Sequence, residues 1–188
     1  MECKWIRRLL HTGVCVSAVV MGTGVRANCT VLVSPAMTDF GRMALSALAP
    51  TDALGLRKMG ERTATLSVSC DVSQSVIKLA FGGLRPTALK PYVAMGSGGM
   101  VGFKLSGATI EGVPVDMAIE GTNGGQFTHT LELTNDSVVV FDTARLSPDR
   151  RKSYSVQMQF SAALPNSTVV SSERKLNSEF TVQVIDPK

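Results

Sequence analysis

The sequence predicts an all-β protein, and specifically an antiparallel β-sandwich. Three observations predict this fold class. About nine short segments alternate apolar and polar residues or are rich in β-branched residues, and turn-forming residues separate them. No segment has helical periodicity over more than about two turns. The 188 residues, with few aromatics and frequent glycine, suit one such domain better than two.

The N-terminal segment, residues 1–27, is predicted to be a secretory signal peptide. Basic residues near its start precede a mostly apolar run, and Val25-Arg26-Ala27 fits a small-residue cleavage site. A transmembrane anchor is the alternative, but polar residues and glycines interrupt the apolar run. They leave too little continuous apolar length to cross ~30 Å of hydrocarbon. The predicted domain is residues 28–188 of an exported protein.

Removal of residues 1–27 changes the charge balance. Four of the 19 basic residues and one of the 15 acidic residues lie in this segment. The remaining chain has a net charge of about +1, so no nucleic-acid partner is predicted. The short basic run Asp149-Arg150-Arg151-Lys152 is interpreted as a solvated turn.

The cysteine count changes as well. Cys29 and Cys70 are the two cysteines that remain, and one pair in an exported protein predicts a disulfide bond. Each lies at the edge of a predicted strand, so the bond would join two strands of one sheet. No metal site and no cofactor are predicted, because His129 is the single histidine of residues 28–188.

The predicted strands of the first half are residues 28–33, 62–70 and 76–81. In residues 62–70, apolar side chains alternate strictly with Thr and Ser, as in a half-buried antiparallel strand. Residues 34–41 contain Pro35 and Gly41 and are predicted to be a strand that bends or changes partner. Residues 43–58 are predicted to be a loop, with Thr51 or Asp52 capping a helical turn.

The predicted strands of the second half are residues 101–105, 113–119, 127–133, 137–141, 154–160 and 179–185. Turn signals at Gly112, 123–125 and 135–136 separate several of them. Residues 86–100 and 165–178 are predicted to be loops. The glycine run in the first of these is not interpreted as a phosphate-binding loop, because no helical pattern follows it.

No catalytic constellation is found, so an enzyme is not predicted. Nucleophilic catalysis needs an activated Ser or Cys beside a base, and residues 28–188 contain one histidine and no free thiol if the disulfide forms. His129 is interpreted as a packed or rim residue. Asp116 and Glu120 are acidic residues that could in principle serve glycoside chemistry, but they lie among ordinary surface positions.

Several of these features together resemble the pilin-type subunits of bacterial chaperone-usher fimbriae. Asp39-Phe40-Gly41 follows Cys29 after ten residues, and Cys70 closes an alternating strand 41 positions after Cys29. Residues 154–162 are similar to the penultimate strand of that family, and residues 180–184 are similar to its terminal strand. The likeness covers essentially all of residues 28–188.

The resemblance implies an immunoglobulin-like sandwich that lacks its last strand. In such subunits an apolar groove is filled first by a strand of a periplasmic chaperone and then by a neighbouring subunit, through β-strand addition. Phe180, Val182 and Val184 would line this groove, and their strand would contact the chaperone. The resemblance also implies an outer-membrane usher as a partner, and passage through the periplasm to a fimbrium on the cell surface.

The sequence departs from the family pattern in two places. With cleavage after Ala27, Cys29 is the second residue of the processed chain, so no N-terminal extension is left to donate a strand. The subunit is therefore predicted to accept a strand without supplying one, and to lie at the fibre tip. The usual tyrosine near the C-terminus is also missing, and Ile185-Asp186-Pro187-Lys188 stands there instead.

A second hypothesis is a self-sufficient secreted sandwich that binds a carbohydrate or another surface ligand. Its candidate contact regions are residues 86–100 and 165–178. Glycan binding favours exposed aromatic side chains, and Tyr92 is the single aromatic residue of these two loops. For this reason the fimbrial subunit, structural or adhesive, is the favoured prediction.

Overall fold

The computed structural model describes residues 29–41, 44, 46, 48, 51–71, 76–96, 98–121, 126–147, 149, 151–168 and 178–185. The predicted signal peptide lies outside these residues. Within them the structure is all-β, and its strands are β1 (Cys29–Ser34), β2 (Leu56–Cys70), β3 (Lys78–Gly82), β4 (Tyr92–Met95), β5 (Gly99–Ile110), β6 (Val113–Pro114), β7 (Met117–Ile119), β8 (Thr130–Leu133), β9 (Val138–Phe141), β10 (Ser153–Pro165) and β11 (Thr181–Ile185). The predicted antiparallel β-sandwich is confirmed.

The larger sheet is built around the two longest strands. Its order is β1-β2-β10-β5-β4, and all its pairs are antiparallel. Strand β5 pairs with β10 along one edge, while β4, β8 and β6 follow one another along its other edge. The predicted alternation of inward apolar and outward polar side chains in residues 62–70 is confirmed. Ala64, Leu66, Val68 and Cys70 are buried, and the Thr and Ser residues between them face outward.

The smaller sheet has the order β11-β3-β9-β7 and is also antiparallel. The two sheets meet through their inward side chains, which form one continuous core. Large members of this core include Leu66, Leu79, Phe81, Leu105, Ile110, Met117, Leu133, Tyr154 and Met158. Complete burial of one aliphatic side chain of this size contributes roughly 1.5–3 kcal/mol, so the core is the main source of folding free energy.

Each sheet has one terminal strand whose outer edge is covered and one whose outer edge is open. The edge of β4 is covered by the preceding chain, because Pro86 forms a bridge with Val93 and the amide of Ala94 donates to the carbonyl of Arg85 at 2.7 Å. The edge of β7 is covered at Met117, which exchanges two backbone hydrogen bonds with Thr128. At the opposite ends, β1 pairs with β2 and β11 pairs with β3, and neither has a second hydrogen-bonded strand among the described residues.

Several predicted boundaries were wrong. The predicted loop of residues 86–100 contains β4, and no strand is present within residues 35–41. Strand β2 begins at Leu56, inside the predicted loop of residues 43–58. Asp52 starts a tight turn instead of a helical one, since its carboxylate accepts from the amides of Leu54 and Leu56 at 2.9 and 3.0 Å.

Candidate strand-binding groove

The predicted disulfide is present between β1 and β2. Cys29 and Cys70 are direct cross-strand partners, with an S–S distance of 2.06 Å. Strand β1 lies at the end of its sheet and has one pairing partner, so the bond adds a covalent link to that single set of hydrogen bonds. The disulfide therefore fixes β1, which forms one wall of the candidate groove described below.

The first wall of the site is the inward face of β1. Cys29, Val31 and Val33 point toward the core and are half-buried, while Thr30, Leu32 and Ser34 face solvent. The alternation follows from strand geometry, in which successive side chains point to opposite faces. Val31 and Val33 pack against the core from one side and remain partly open on the other.

The second wall is the inward face of the last described strand. Val182 and Val184 of β11, together with Phe180 just before it, pack against the core and are half-buried. Thr181, Gln183 and Ile185 face solvent. The three residues that the sequence assigned to the candidate site therefore share one face.

These two walls lie on the same side of the sandwich. Inward residues of the inner strands, such as Leu66, Leu79 and Met158, are each about 1% exposed, whereas the inward residues of β1 and β11 are not fully covered. We call the space between the open edges of β1 and β11, lined by Val31, Val33, Phe180, Val182 and Val184, the strand groove. Open backbone edges beside partly exposed apolar side chains are the feature that β-sheet proteins normally cover.

The width of the strand groove is set by the approach of β1 to β11. Some Cα atoms of the two strands lie within 8 Å of each other. A strand inserted between two neighbours needs about 9.6 Å from one to the other, which is twice the usual spacing of strands in a sheet. The two strands must therefore move apart at their closest point before another strand can pair with both.

The chemistry of the strand groove is apolar and neutral. Strands β1 and β11 contain no charged side chain, and their polar residues are Thr, Ser and Gln on the outward faces, apart from the disulfide-bonded Cys29. An ion pair of Lys78 with Glu120 lies at the end of β3 that pairs with Ile185. The groove therefore suits a segment with apolar side chains at alternate positions and gives no preference for a charge.

Phe180 is held by two aromatic residues that the sequence analysis did not assign to the site. Its ring centroid lies 5.4 Å from that of Phe103 and 6.0 Å from that of Phe160. The rings of Phe103 and Phe160 are themselves edge-to-face at 5.1 Å. Both residues occupy apolar positions of predicted strands, but the pairing of β5 with β10 was needed to bring them together.

The acidic residues and the histidine considered for catalysis do not form one site. The carboxylate of Asp116 contacts the imidazole of His129, whose side chain is 91% exposed, and Glu120 pairs with Lys78 instead. Among the described residues there is no cluster of three or more His, Cys, Asp or Glu side chains able to share a metal ion. The same residues include no helix of the length and apolarity needed to span a membrane.

The two predicted contact loops approach each other where they are described. The hydroxyl of Thr168 donates to the carbonyl of Gly98 at 3.3 Å. Residues 169–177 of the second loop lie outside the described part of the chain. Tyr92, the aromatic residue of the first loop, lies on β4 and is half-buried.

No protein-family model matches the chain, and no curated protein sequence matches it either.

Proposed function

We propose that the chain is a subunit of a chaperone-usher fimbria, and that its strand groove accepts a β-strand from another protein. One observation carries the proposal. Strands β1 and β11 lie at the ends of their two sheets and approach each other, with some of their Cα atoms within 8 Å, and the inward residues of both strands are half-buried. An immunoglobulin-like sandwich without its last strand has this arrangement.

Two kinds of interaction support strand addition at this place. An inserted strand pairs its backbone with β1 on one side and β11 on the other, which satisfies two rows of N–H and C=O groups. Its apolar side chains also cover Val31, Val33, Val182 and Val184. Covering the exposed remainder of each valine contributes on the order of 1 kcal/mol, in addition to burial of the incoming side chains.

The proposed partners follow from this mechanism. A periplasmic chaperone supplies the first strand, an outer-membrane usher receives the complex, and a neighbouring subunit supplies the final strand. The proposed path runs through the periplasm to a fimbrium on the cell surface, where the subunit is structural or adhesive and performs no catalysis. The tip position depends on residues before Cys29, which lie outside the described chain, and stays a prediction.

The test is expression of the full chain in a bacterial periplasm, with and without a cognate periplasmic chaperone. We expect the soluble yield to depend on the chaperone, because an uncovered groove favours aggregation. Stable, soluble and monomeric protein without a chaperone or donor peptide would overturn the proposal.

A matched pair of variants separates the strand groove from the rest of β11. Val182→Lys places a charge on the groove face, and Gln183→Lys places the same charge on the outward face of the next residue. We expect the first variant to lose the copurifying chaperone and the second to keep it. Equal retention of the chaperone by both variants would contradict a partner bound in the groove.

A further inference from the structure

A positive charge stands just beyond one end of the strand groove. Strand β1 stops at Ser34, whose Cα partner on β2 is Thr65, and Arg62 lies three positions further along β2. Arg62 is also the Cα partner of Phe160, and the ring of Phe160 lies 6.0 Å from that of Phe180. Arg62 therefore lies at the end of the groove where Phe180 is anchored.

The place of Arg62 in its strand directs the side chain to the interior face of the sheet. Ala64, Leu66 and Val68 occupy alternate positions of β2 and are buried, and Arg62 continues this series. It is nevertheless exposed, because β1 has ended and no other strand pairs with this edge of β2 in the described part of the chain. A charge on the interior face is one of the devices that keep an open sheet edge from pairing without selection.

The guanidinium of Arg62 is held in place by the chain that follows β1. Its Nε donates to the carbonyl of Asp39 at 3.0 Å, and its Nη1 donates to the carbonyl of Glu61 at 2.9 Å. The guanidinium also lies over the ring of Phe40, 5.5 Å from the centroid. Because Phe40 packs against the core, its ring supports the guanidinium from the protein side. Little side-chain entropy is therefore lost when Arg62 binds a partner.

The charge of Arg62 has no carboxylate partner among the residues that the structure describes. Both of its hydrogen bonds go to neutral carbonyl groups. The carboxylate of Asp39 accepts from the amide of Gly41 at 2.7 Å, and that of Glu61 accepts from two side chains of β10. Nη2 makes no hydrogen bond with a described residue, and Nη1 keeps a second N–H. These groups form the fork that binds a carboxylate through two parallel hydrogen bonds.

We propose that Arg62 selects the strand that fills the groove, by binding an acidic side chain at one end of that strand. The inference rests on the proposed strand addition and adds a charge requirement to it. The walls of the groove are neutral and match alternating apolar side chains, which many segments can supply. One acidic residue at the end that meets Arg62 separates the matched strand from such competitors. It also sets the direction and register in which the strand enters.

The geometry sets the length of a suitable probe. Cys70 and Arg62 lie eight positions apart on β2, so a segment that runs from the disulfide to Arg62 needs about nine residues. Its acidic residue belongs on the same face as its apolar residues, because Arg62 shares a face with the inward residues of β2. The probe is therefore a nonapeptide in which valine alternates with threonine, and the two end residues lie on the valine face.

The experiment uses the full chain as it is isolated from the periplasm, with any copurifying chaperone retained. Three peptides with blocked termini carry glutamine at both ends, glutamate at the first residue or glutamate at the last residue. Native mass spectrometry measures the peptide concentration that occupies half of the chains. The ratio between peptides does not depend on the chaperone, since each peptide competes with the same partner.

One of the two glutamate peptides should bind at least about fivefold more tightly than the glutamine peptide. The other should bind within about twofold of it, because its glutamate lies at the end away from Arg62. The advantage should fall below about twofold in 1 M salt, because Arg62 is exposed and its charge is screened. Equal binding of all three peptides would overturn the proposal.

Variants assign the advantage to Arg62. Arg62→Met keeps an apolar stem beside Phe40, so we expect the glutamine peptide to bind as before and the glutamate advantage to disappear. Lys104→Met is the matched control, because it removes one positive charge from an exposed position of β5 and should keep the advantage. In Arg62→Glu, a peptide with lysine at the same end should become the tighter binder. A glutamate advantage that survives Arg62→Met would contradict the role of Arg62.

The glutamine peptide keeps the two proposals apart. If it binds and its end residues have no effect, strand addition stands and the selection by Arg62 is wrong. If none of the three peptides binds, strand addition itself fails and the selection fails with it. Val182→Lys provides the reference for such a failure, since a charge inside the groove should weaken all three peptides.

Discussion

The ring of Phe180 stands edge-on to the ring of Phe103, with centroids 5.4 Å apart and an interplanar angle of 74°. This contact anchors the start of β11 in the core, although Val182 and Val184 of the same strand are half-buried. The strand groove therefore has one firmly packed end. Opening of the groove is expected to begin away from Phe180.

The aromatic contact gives the first prediction. Phe180→Ala should lower the free energy of unfolding by roughly 3 kcal/mol, since it removes a large side chain from a cluster of three rings. Urea denaturation of the purified protein measures this change. Phe127→Ala is the control, because Phe127 is 43% exposed and should change stability by less than about 0.5 kcal/mol. Equal effects of the two substitutions would contradict the anchoring role.

The disulfide gives the second prediction. Cys70→Ser should lower stability by roughly 4 kcal/mol in the chain-entropy model, because the bond closes a loop of about 42 residues. It should also reduce the yield recovered from the periplasm. Wild-type protein treated with a reductant is the matched control and should lose a similar amount. If Cys70→Ser keeps both yield and thermal stability, the bond has no structural role.

Alkaline pH gives the third prediction. Tyr154 is 1% exposed, and burial raises its pKa from 10.0 to about 12, while Arg151 lowers it and Glu111 raises it. Above pH 10 the phenol ionises in the unfolded chain but stays neutral in the folded protein. The free energy of unfolding therefore has its full value below pH 10 and falls as the pH rises toward 12. Tyr154→Phe should remove this part of the alkaline destabilisation.

The measurement uses a chain with one phenol. The sequence contains two tyrosines, so in Tyr92→Phe the phenolate absorbance reports Tyr154 alone. We expect this absorbance to rise together with loss of the folded signal in circular dichroism. Ionisation near pH 10 in a folded protein would contradict the burial of this phenol.

The turn after β5 gives the fourth prediction. Glu111 has a left-handed backbone (φ 50°), and its carboxylate accepts from the amides of Lys152 and Ser153 at 3.0 and 2.8 Å. Glu111→Ala loses both bonds and should cost about 2 kcal/mol, measured by urea denaturation. Glu111→Gln keeps an acceptor oxygen and should retain about half of this energy. A smaller loss in Glu111→Ala than in Glu111→Gln would show that these bonds do not stabilise the turn.

The parts of the fold that were predicted correctly are those with a local signal. Apolar and polar side chains alternate without interruption in residues 62–70. The disulfide was predicted from the one cysteine pair in a chain expected to be exported. The first six residues of β2, in contrast, include Arg57, Lys58 and Gly60, which are weak strand formers. They are strand because β10 pairs with them across a register shift at Ala162 and Ala163.

The candidate site was predictable in part for the same reason. The alternation of Val182 and Val184 is local, and it placed both residues on one face together with Phe180. Their partial exposure depends on which strands pair with β1 and β11. Those strands are distant in sequence, so the local pattern does not reveal the pairing. Strand β4 was not predicted because it has four residues, too few for a clear alternating pattern, and lies between Pro91 and Gly96. It is a strand because it pairs with β5.

The covered edges of β4 and β7 bear on the shape of any assembly that this chain forms. Pro86 and Thr128 occupy these two sheet ends, while β1 and β11 are left open side by side. Under the proposed strand addition, the described sheet ends leave one acceptor position in each molecule, which gives it an acceptor valence of one. A molecule that accepts one strand and supplies none occupies the end of a linear fibre and adds no branch to it.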